Sequence, residues 1–380
     1  MRKYVLIPDS FKGTLSSREV CQIVAEAIRS QEPEAEICAI PVADGGEGTL
    51  EAILAGGKGR YLEAEVTSPL GKRIPAQWGM LEDGTAVIEM AQASGLTLAP
   101  EKDPMRASSY GTGELMAAAL AAGAKRILMG IGGSATNDGG MGMLCALGAR
   151  FFDAQGRALA GCGADLARVA RVELNGLSPA LRGAEIHVLC DVSNPLLGDS
   201  GATAVYGPQK GVTAQLLPEL EAGMANYARH LSAAVGRDVA SFPGAGAAGG
   251  LGAALGGVLG AKMRPGIDTV LSLARFDEHL EGCDLVVTGE GRLDRQSVAF
   301  GKAPAGVAQR CRACGVPVVA MVGGVGAGAE AYHELGQTAV FPIVDAPMTL
   351  DAAMRDAERL FSTAADRLFR VFKMGASARA

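Results

Sequence analysis

Acidic side chains occur together with glycine and with lysine or arginine in the loops that follow predicted strands. Carboxylates in such loops can accept a proton or bind a divalent cation. Lysine and arginine can bind a carboxylate or a phosphate group. The candidate residues are Asp9, Ser10 and Lys12 in residues 8–14, Asp44 in residues 43–48, and Glu290, Arg292 and Asp294 in residues 289–296.

Another loop, residues 132–140, combines glycine with hydroxyl side chains and follows a predicted strand, Lys125–Ile131. Closely spaced glycines let backbone N–H groups turn towards a ligand, and a helix predicted after the loop adds positive potential. The pattern therefore favours phosphate binding, although a tight turn between a strand and a helix has the same composition. The candidates for binding the phosphates of a nucleotide are Gly132, Gly133, Ser134, Thr136, Asn137 and Gly139.

Asp191 follows a further predicted strand, Ile186–Cys190. Acidic residues beside phosphate-binding loops indicate a divalent cation that bridges carboxylate and phosphate oxygens. Mg²⁺ is the first candidate. Asp191 and Glu290 are the predicted metal ligands. Simpler interpretations stay open for single residues, since Asp44 could cap the following helix and Lys12 could be a solvated loop residue.

Both ends of the chain consist of α/β repeats. Continuous apolar strands separated by helices need burial on both faces, which predicts a parallel, doubly wound, flavodoxin-like sheet shared by the two ends. Residues 1–60 and 284–380 would form this discontinuous domain. Its predicted strands lie at residues 4–7, 37–42, 284–288, 316–322 and 339–344.

The middle of the chain has a different pattern. Short predicted strands at residues 61–66, 74–80 and 85–90 are separated by turns that contain glycine. Such hairpins are typical of a mixed sheet. Residues 61–283 are therefore predicted to form an inserted second α/β domain with a mixed sheet.

Composition limits the class of protein and its partners. The 380 residues are 48% hydrophobic and 20% charged, which favours large cores over disorder. The 35 basic and 41 acidic residues are interspersed and give a net charge of −6, so neither nucleic acid nor a membrane surface is an expected partner. The expected partners are therefore small molecules, and the chain could also form a homo-oligomer. Eight cysteines, mostly in apolar runs, and an apolar start too short for a signal peptide predict a cytoplasmic location.

Residues 239–261 are uncharged and long enough to cross a bilayer. Because the segment is mostly glycine and alanine and contains Pro243, we predict a buried helix instead.

Gly244–Gly249 matches the G-x-G-x-x-G fingerprint of dinucleotide-binding proteins. The preceding residues, Val239–Phe242, are a poor strand, so a glycine-faced helix that packs tightly is the favoured interpretation.

A series of long and unusual motifs extends over almost the whole chain. They are PDSFKGTLS (8–16), ADGGEGT (43–49), TAVIEMAQASGL (85–96), YGTGEL (110–115), GIGGSATNDGGMGM (130–143), CDVSNPLLG (190–198), YGPQKG (206–211), PGAGAAGGLGAAL (243–255), VTGEGRLDRQS (287–297) and GKAPAGVA (301–308). Taken in order, these motifs resemble the type 1 glycerate kinase family. The resemblance implies ATP-dependent phosphorylation of D-glycerate with Mg²⁺, with 2-phosphoglycerate as the expected product, and a split α/β domain with an inserted second domain.

Phosphoryl transfer needs positioning, charge neutralisation and a carboxylate that accepts the hydroxyl proton. On this hypothesis residues 132–140 bind the ATP phosphates, and Asp191 with Glu290 holds Mg²⁺. Lys12 and Arg292 are candidates for the glycerate carboxylate or the transferred phosphate, with Asp9 and Ser10 also in the substrate site. Asp294 is the first candidate for the base and Asp44 the second.

Two other classes of function remain as alternatives. An NAD-dependent oxidoreductase acting on a 2-hydroxy acid would use Gly244–Gly249, and a non-catalytic protein could bind a sugar acid without turnover. The P-loop class is excluded, because no Gly-Lys pair has the required spacing to an earlier glycine.

Overall fold

A computed structural model describes residues 1–11, 13–42, 48–56, 59–299 and 302–377. The strands, in chain order, are β1 (Lys3–Leu6), β2 (Glu36–Ala39), β3 (Gly59–Thr67), β4 (Arg73–Leu81), β5 (Thr85–Glu89), β6 (Arg126–Gly130), β7 (Arg150–Phe152), β8 (Arg171–Glu173), β9 (Glu185–Leu189), β10 (Lys262–Arg264), β11 (Leu285–Leu293), β12 (Val318–Val325) and β13 (Thr338–Pro342). The helices are α1 (Ser17–Gln31), α2 (Thr49–Gly56), α3 (Ala91–Ser94), α4 (Tyr110–Ala121), α5 (Met141–Ala146), α6 (Ala202–Tyr206), α7 (Leu217–Val235), α8 (Ala247–Gly252), α9 (Gly266–Leu273), α10 (Phe276–His279), α11 (Arg295–Ala299), α12 (Ala303–Cys314), α13 (Leu350–Arg355) and α14 (Ala357–Ser377).

The chain divides into two compact units. The first comprises Met1–Asp44, Glu51–Gly57 and Gly266–Ala380, and the second comprises Gly45–Leu50 and Lys58–Pro265. Helices α9 and α10 thus belong to the first unit, whereas the sequence placed them in the inserted domain. Helix α9 packs against α12 at Gly306, where a Cβ atom would lie only 2.8 Å from Cγ2 of Ile267.

The first unit is built on a parallel sheet with the strand order β13-β12-β11-β1-β2. Counted along the chain from β2, this is the flavodoxin-like order 2-1-3-4-5. One face buries Tyr4 and Leu6 against Leu360 of α14. The other face packs Val322 against Tyr332. The predicted parallel, doubly wound fold is confirmed.

The second unit is built on a mixed sheet with the strand order β10-β9-β6-β5-β4-β3. Strands β5, β6, β9 and β10 run parallel, and β4 is antiparallel to both β3 and β5. Ile127 and Met129 of β6 are completely buried. The predicted mixed sheet is confirmed, and its interior strand β6 leads directly into residues 131–140.

The uncharged segment 239–261 is not the continuous helix that was predicted. Ala248, Gly249 and Gly250 have φ angles of 53°, 68° and 88°, in the left-handed region, and the chain then continues as a π-helix, Ala253–Val258. Such a break depends on tertiary packing, which alanine and glycine composition does not reveal. No helix in the described part of the chain is long and apolar enough to cross a membrane.

Ser16 followed three residues later by Glu19 is a capping-box pattern, which predicts a helix start here, and helix α1 begins with this capping box. Ser16 Oγ accepts the N–H of Glu19 at 3.2 Å, and the Glu19 carboxylate accepts the N–H and the hydroxyl of Ser16, both at 2.8 Å. These bonds to Ser16 hold the pKa of Glu19 below its ordinary value. The interaction is local in sequence, which is why the pattern predicts it correctly.

We expect Ser16→Ala to lower the free energy of unfolding by about 1 kcal/mol, because it removes the helix cap. Glu19 stabilises the helix start while its carboxylate is ionised, and this stabilisation disappears as the pH falls through its lowered pKa. The difference in free energy of unfolding between wild type and Ser16→Ala should therefore become smaller at acidic pH. Urea unfolding at neutral and acidic pH measures both effects. Thr349→Ala is the matched control, since Thr349 caps α13 through the N–H of Ala352 without a carboxylate at that position. If the stability loss shrinks equally at acidic pH in Ser16→Ala and in Thr349→Ala, Glu19 is not the cause of the pH dependence.

Candidate functional site

Asp9 and Glu290 lie at the carboxyl ends of neighbouring strands in the first unit. The N–H of Asp9 donates to the carbonyl of Gly289 at 2.8 Å. Asp9 and Glu290 are only 5% and 6% exposed. Ser10 donates its N–H to Asp9 Oδ1 at 2.6 Å. These residues therefore meet between β1 and β11, the topological switch point at which doubly wound sheets bind ligands.

Arg292 and Asp294 lie at the end of β11. Their side chains approach each other at 3.7 Å between Arg292 Nε and Asp294 Oδ2. Asp294 Oδ1 accepts the N–H groups of Gln296 at 2.9 Å and Ser297 at 3.2 Å, so it caps the first turn of α11. Asp294 thus has a structural task, and its role as the base stays a prediction.

Three further predicted site residues are Lys12, Asp44 and Asp191. Lys12 and Asp44 lie outside the described residues. Asp191 follows β9 and belongs to the second unit, whereas Glu290 belongs to the first. The predicted pairing of Asp191 with Glu290 in one metal site therefore stays a prediction.

Asp138 fixes the glycine-rich loop of the second unit from inside. Its buried carboxylate accepts the N–H and the hydroxyl of Ser109, both at 2.7 Å, and the N–H groups of Gly140 at 3.1 Å and Gly142 at 3.2 Å. Burial raises the pKa of Asp138, and these hydrogen bonds oppose the rise. The first amides of α5 thus bind a carboxylate of the protein itself, whereas the sequence analysis directed them at a ligand.

Lys210 approaches the same loop from within the unit. Its side chain is 1% exposed, and Nζ donates to Ser134 Oγ and to the carbonyl of Thr136, both at 2.7 Å. Burial lowers the pKa of Lys210 to about 7, and the negative charge of Asp138 acts in the opposite direction. The loop is therefore held by a buried carboxylate and a buried amine.

The loop presents its first turn to solvent. Gly133 is exposed and Gly132 is half-buried. The remaining predicted phosphate-binding residues are buried, namely Ser134, Thr136, Asn137 and Gly139. Thr136 Oγ1 and Asn137 Oδ1 have no hydrogen-bond partner among the described residues. The exposed part of the loop is thus its first turn at Gly132 and Gly133, and the phosphate-binding roles of all six residues stay predictions.

The G-x-G-x-x-G match has a packing explanation. A Cβ atom on Gly246 would lie 2.1 Å from the carbonyl of Pro195, and one on Gly249 would lie 2.0 Å from the carbonyl of Thr136. These glycines thus allow segments of the second unit to approach each other. In the described structure the match does not follow a strand, as a dinucleotide site requires. The favoured interpretation, tight packing, agrees with this geometry.

Sequence reasoning missed three buried polar residues around the loop. Asp138 and Lys210 are described above, and Glu89 lies at the end of β5, 3% exposed, where it accepts the N–H of Leu50 at 2.7 Å. All three occur in motifs that were recognised as unusual. The available signal was a charged residue among small or apolar neighbours, but burial of that charge depends on the fold.

The fold and these sites define a class of protein. It is a two-unit α/β protein with acidic residues at the switch point of a flavodoxin-like sheet and a glycine-rich loop at the carboxyl end of a mixed sheet. Both features suit small anionic ligands or their metal complexes.

Comparison with known proteins gives the family. The glycerate kinase family profile matches residues 4–373, and the chain belongs to this family. Glycerate 2-kinase of Escherichia coli (strain K12) is 46% identical over 358 residues, which cover 93% of this chain and 94% of that protein. Glycerate kinase of Bacillus subtilis (strain 168) is 45% identical over 368 residues, 96% of each chain.

A solved structure agrees with this assignment. The crystal structure assigned to a glycerate kinase 2 of Salmonella typhimurium LT2 superimposes with a TM-score of 0.81 at 41% sequence identity, and the match covers 99% of both chains. The family expected from the motifs is therefore confirmed.

We expect Gly249→Ala to destabilise the protein more than Gly260→Ala does. Both glycines have a left-handed φ, 68° and 69°, so alanine is strained at each by about 1 kcal/mol. At Gly249 the added Cβ would also lie 2.0 Å from the carbonyl of Thr136 and 2.8 Å from Lys210 Nζ, whereas nothing lies within 4 Å at Gly260. Calorimetric melting of the two variants measures the difference, and equal losses would contradict the close packing at Gly249.

Proposed function

We propose that the protein is an ATP-dependent kinase that phosphorylates D-glycerate on its 2-hydroxyl group and releases 2-phosphoglycerate and ADP. The observation that carries this proposal is the similarity, over almost the entire chain, to a protein named glycerate 2-kinase. The glycine-rich loop and the acidic switch point supply the two kinds of group that phosphoryl transfer needs, donors for phosphate oxygens and carboxylates.

Gly132 and Gly133 bind the ATP phosphates through their backbone N–H groups in this proposal. Their exposure supports the assignment, as does the absence of a Cβ that would block close approach. The Ser134 hydroxyl adjoins them and accepts a hydrogen bond from Lys210. Its own hydrogen can therefore be donated to a phosphate oxygen, provided the ligand reaches past the exposed turn.

The carboxylates at the switch point fit Mg²⁺. This ion is usually bound by one or two carboxylates together with substrate phosphates and water. The described residues contain no cluster of three metal-ligating side chains, so an all-protein cage for another metal is not supported. We assign the ion to Glu290 and Asp191. When bound, Mg²⁺ neutralises charge on the phosphates.

The glycerate end of the reaction is assigned to the first unit. Lys12 and Arg292 bind the substrate carboxylate or the transferred phosphate, because such anions need cationic partners. Arg292 is exposed and available for an anion. Asp9 and Ser10, beside Glu290 in the same unit, also contact the substrate, and Asp294 or Asp44 accepts the hydroxyl proton.

We also propose a cytoplasmic location and partners limited to small molecules and copies of the chain. All eight cysteines are unpaired, which suits a reducing compartment. Burial raises the pKa of several of them, Cys21 and Cys145 to about 12, which disfavours the reactive thiolate.

The activity is tested with a coupled assay and phosphorus NMR of the product. We expect ADP release that requires D-glycerate, and a product signal that matches 2-phosphoglycerate. A product that matches 3-phosphoglycerate would overturn the position of transfer. Reduction of NAD by glycerate without ATP would replace the kinase with an oxidoreductase, and binding without turnover would leave a sugar-acid-binding protein.

The base is tested with Asp294→Asn and Asp44→Asn. We expect the variant at the true base to lose at least about 100-fold in kcat, because proton transfer is impaired. Asparagine caps helices as well as aspartate does, so Asp294→Asn should keep the melting temperature. If both variants retain nearly wild-type kcat, neither residue is the base.

A further inference from the structure

Lys210 carries a buried amine that has no role in the reaction proposed above. It ends a short 3₁₀ turn, Pro208–Lys210, and is followed by Gly211 with a φ of 98°. Both recorded acceptors of its Nζ belong to the glycine-rich loop, Ser134 Oγ and the carbonyl of Thr136. The side chain therefore links the 3₁₀ turn to the loop.

A lysine in this position is a poor choice for stability alone. Removing an ammonium group from water costs several kcal/mol, and an apolar side chain of similar volume often serves a core equally well. In the neighbouring segment Ala248 takes a left-handed φ of 53°, which is strained for a residue other than glycine, and Gly249 leaves space for Nζ. Residues held in such conformations concentrate at functional sites.

We propose that Lys210 is a positioning residue for the nucleotide phosphates: by holding Ser134 and the carbonyl of Thr136 inward, it keeps the exposed Gly132–Gly133 turn in the conformation that binds phosphate. This inference rests on the proposed kinase function. Lys210 does not touch the ligand in this account. It acts through the loop and adds a positive charge beneath the place where phosphate binds.

The charged groups near Lys210 determine whether nucleotide affinity rises or falls with pH. Asp138 on the loop is the charged group that acts on Lys210, and burial raises the pKa values of Tyr227 of α7 and Cys145 of α5, both of which interact with Asp138. On α6, burial likewise raises the pKa of Tyr206. Burial lowers the pKa of Lys210 to about 7, so the free protein loses this positive charge as the pH rises above neutrality. A bound phosphate favours the charged amine, and nucleotide affinity should therefore decrease between pH 7 and 9.

Lys210→Met tests the proposal, with Lys125→Met as the matched control. Methionine replaces the buried amine by an apolar chain of similar length, and Lys125 is an exposed lysine of the same unit at the opposite end of β6. The probe is ADP with Mg²⁺, measured by titration calorimetry from pH 7 to 9. We expect Lys210→Met to weaken ADP binding and raise KM for ATP by at least about tenfold, with a smaller effect on kcat.

The pH profile separates positioning from a purely structural role. Wild type and Lys125→Met should lose ADP affinity above pH 7, and Lys210→Met should show a flat profile. A lower melting temperature with unchanged ADP affinity and an unchanged profile would overturn the proposal. If Lys210→Met does not fold, Lys210→Gln decides, because its amide keeps a hydrogen-bond donor for the two acceptors but removes the titrating charge: weaker ADP binding with a flat pH profile supports the proposal, and unchanged binding with an unchanged profile overturns it.

The same titration keeps this inference distinct from the proposed function. If wild type binds ADP but shows no turnover with D-glycerate, the choice of substrate is wrong and the comparison at Lys210 still stands. If wild type binds no ADP, both proposals fail.

Discussion

The second unit depends on one interaction, the buried carboxylate of Asp138 at the end of the interior strand β6. Its bonds to Ser109, Gly140 and Gly142 connect the start of α4, the glycine-rich loop and the start of α5. A buried carboxylate without donors would be strongly unfavourable, so each of these amides must remain in place. This requirement fixes the path of residues 132–142, and the close approach at Gly249 and the internal amine of Lys210 follow from it.

Under the proposed function, the two units bind anions in different ways. In the first unit, the order of parallel strands creates a switch point, and the buried carboxylates of Asp9 and Glu290 suit a metal ion that accompanies the anion. In the second unit, backbone groups of a braced glycine loop are exposed while its charges stay inside. A carboxylate placed directly at the phosphate would repel it, and Asp138 avoids this because its oxygens are occupied by internal donors.

Local and periodic features were predictable from the sequence, whereas burial of charge was not. The Ser16–Glu19 capping box is contained in one turn. Apolar runs and hairpin turns predicted the strands of the parallel sheet and those of the mixed sheet except β10. The helical spacing of Leu350, Met354, Leu360 and Phe361 predicts that they share one face of a final amphipathic helix. Leu360 and Phe361 are buried, as this predicts, but Leu350 and Met354 are 75% and 38% exposed because a separate helix, α13, carries them. Thr136 and Asn137 were chosen as ligand contacts for their chemistry, yet both are buried, because Gly249 and its neighbours pack against the loop.

The central claim is that a loop braced by Asp138 and Lys210 binds phosphate through its exposed turn. A crystal structure of the protein with ADP and Mg²⁺ tests it most directly. The account predicts phosphate oxygens within hydrogen-bond distance of the Gly132 and Gly133 amides, with the bonds of Asp138 to Ser109 and of Lys210 to Ser134 retained. Phosphates bound away from this turn, or a loop that opens and breaks those bonds, would contradict it.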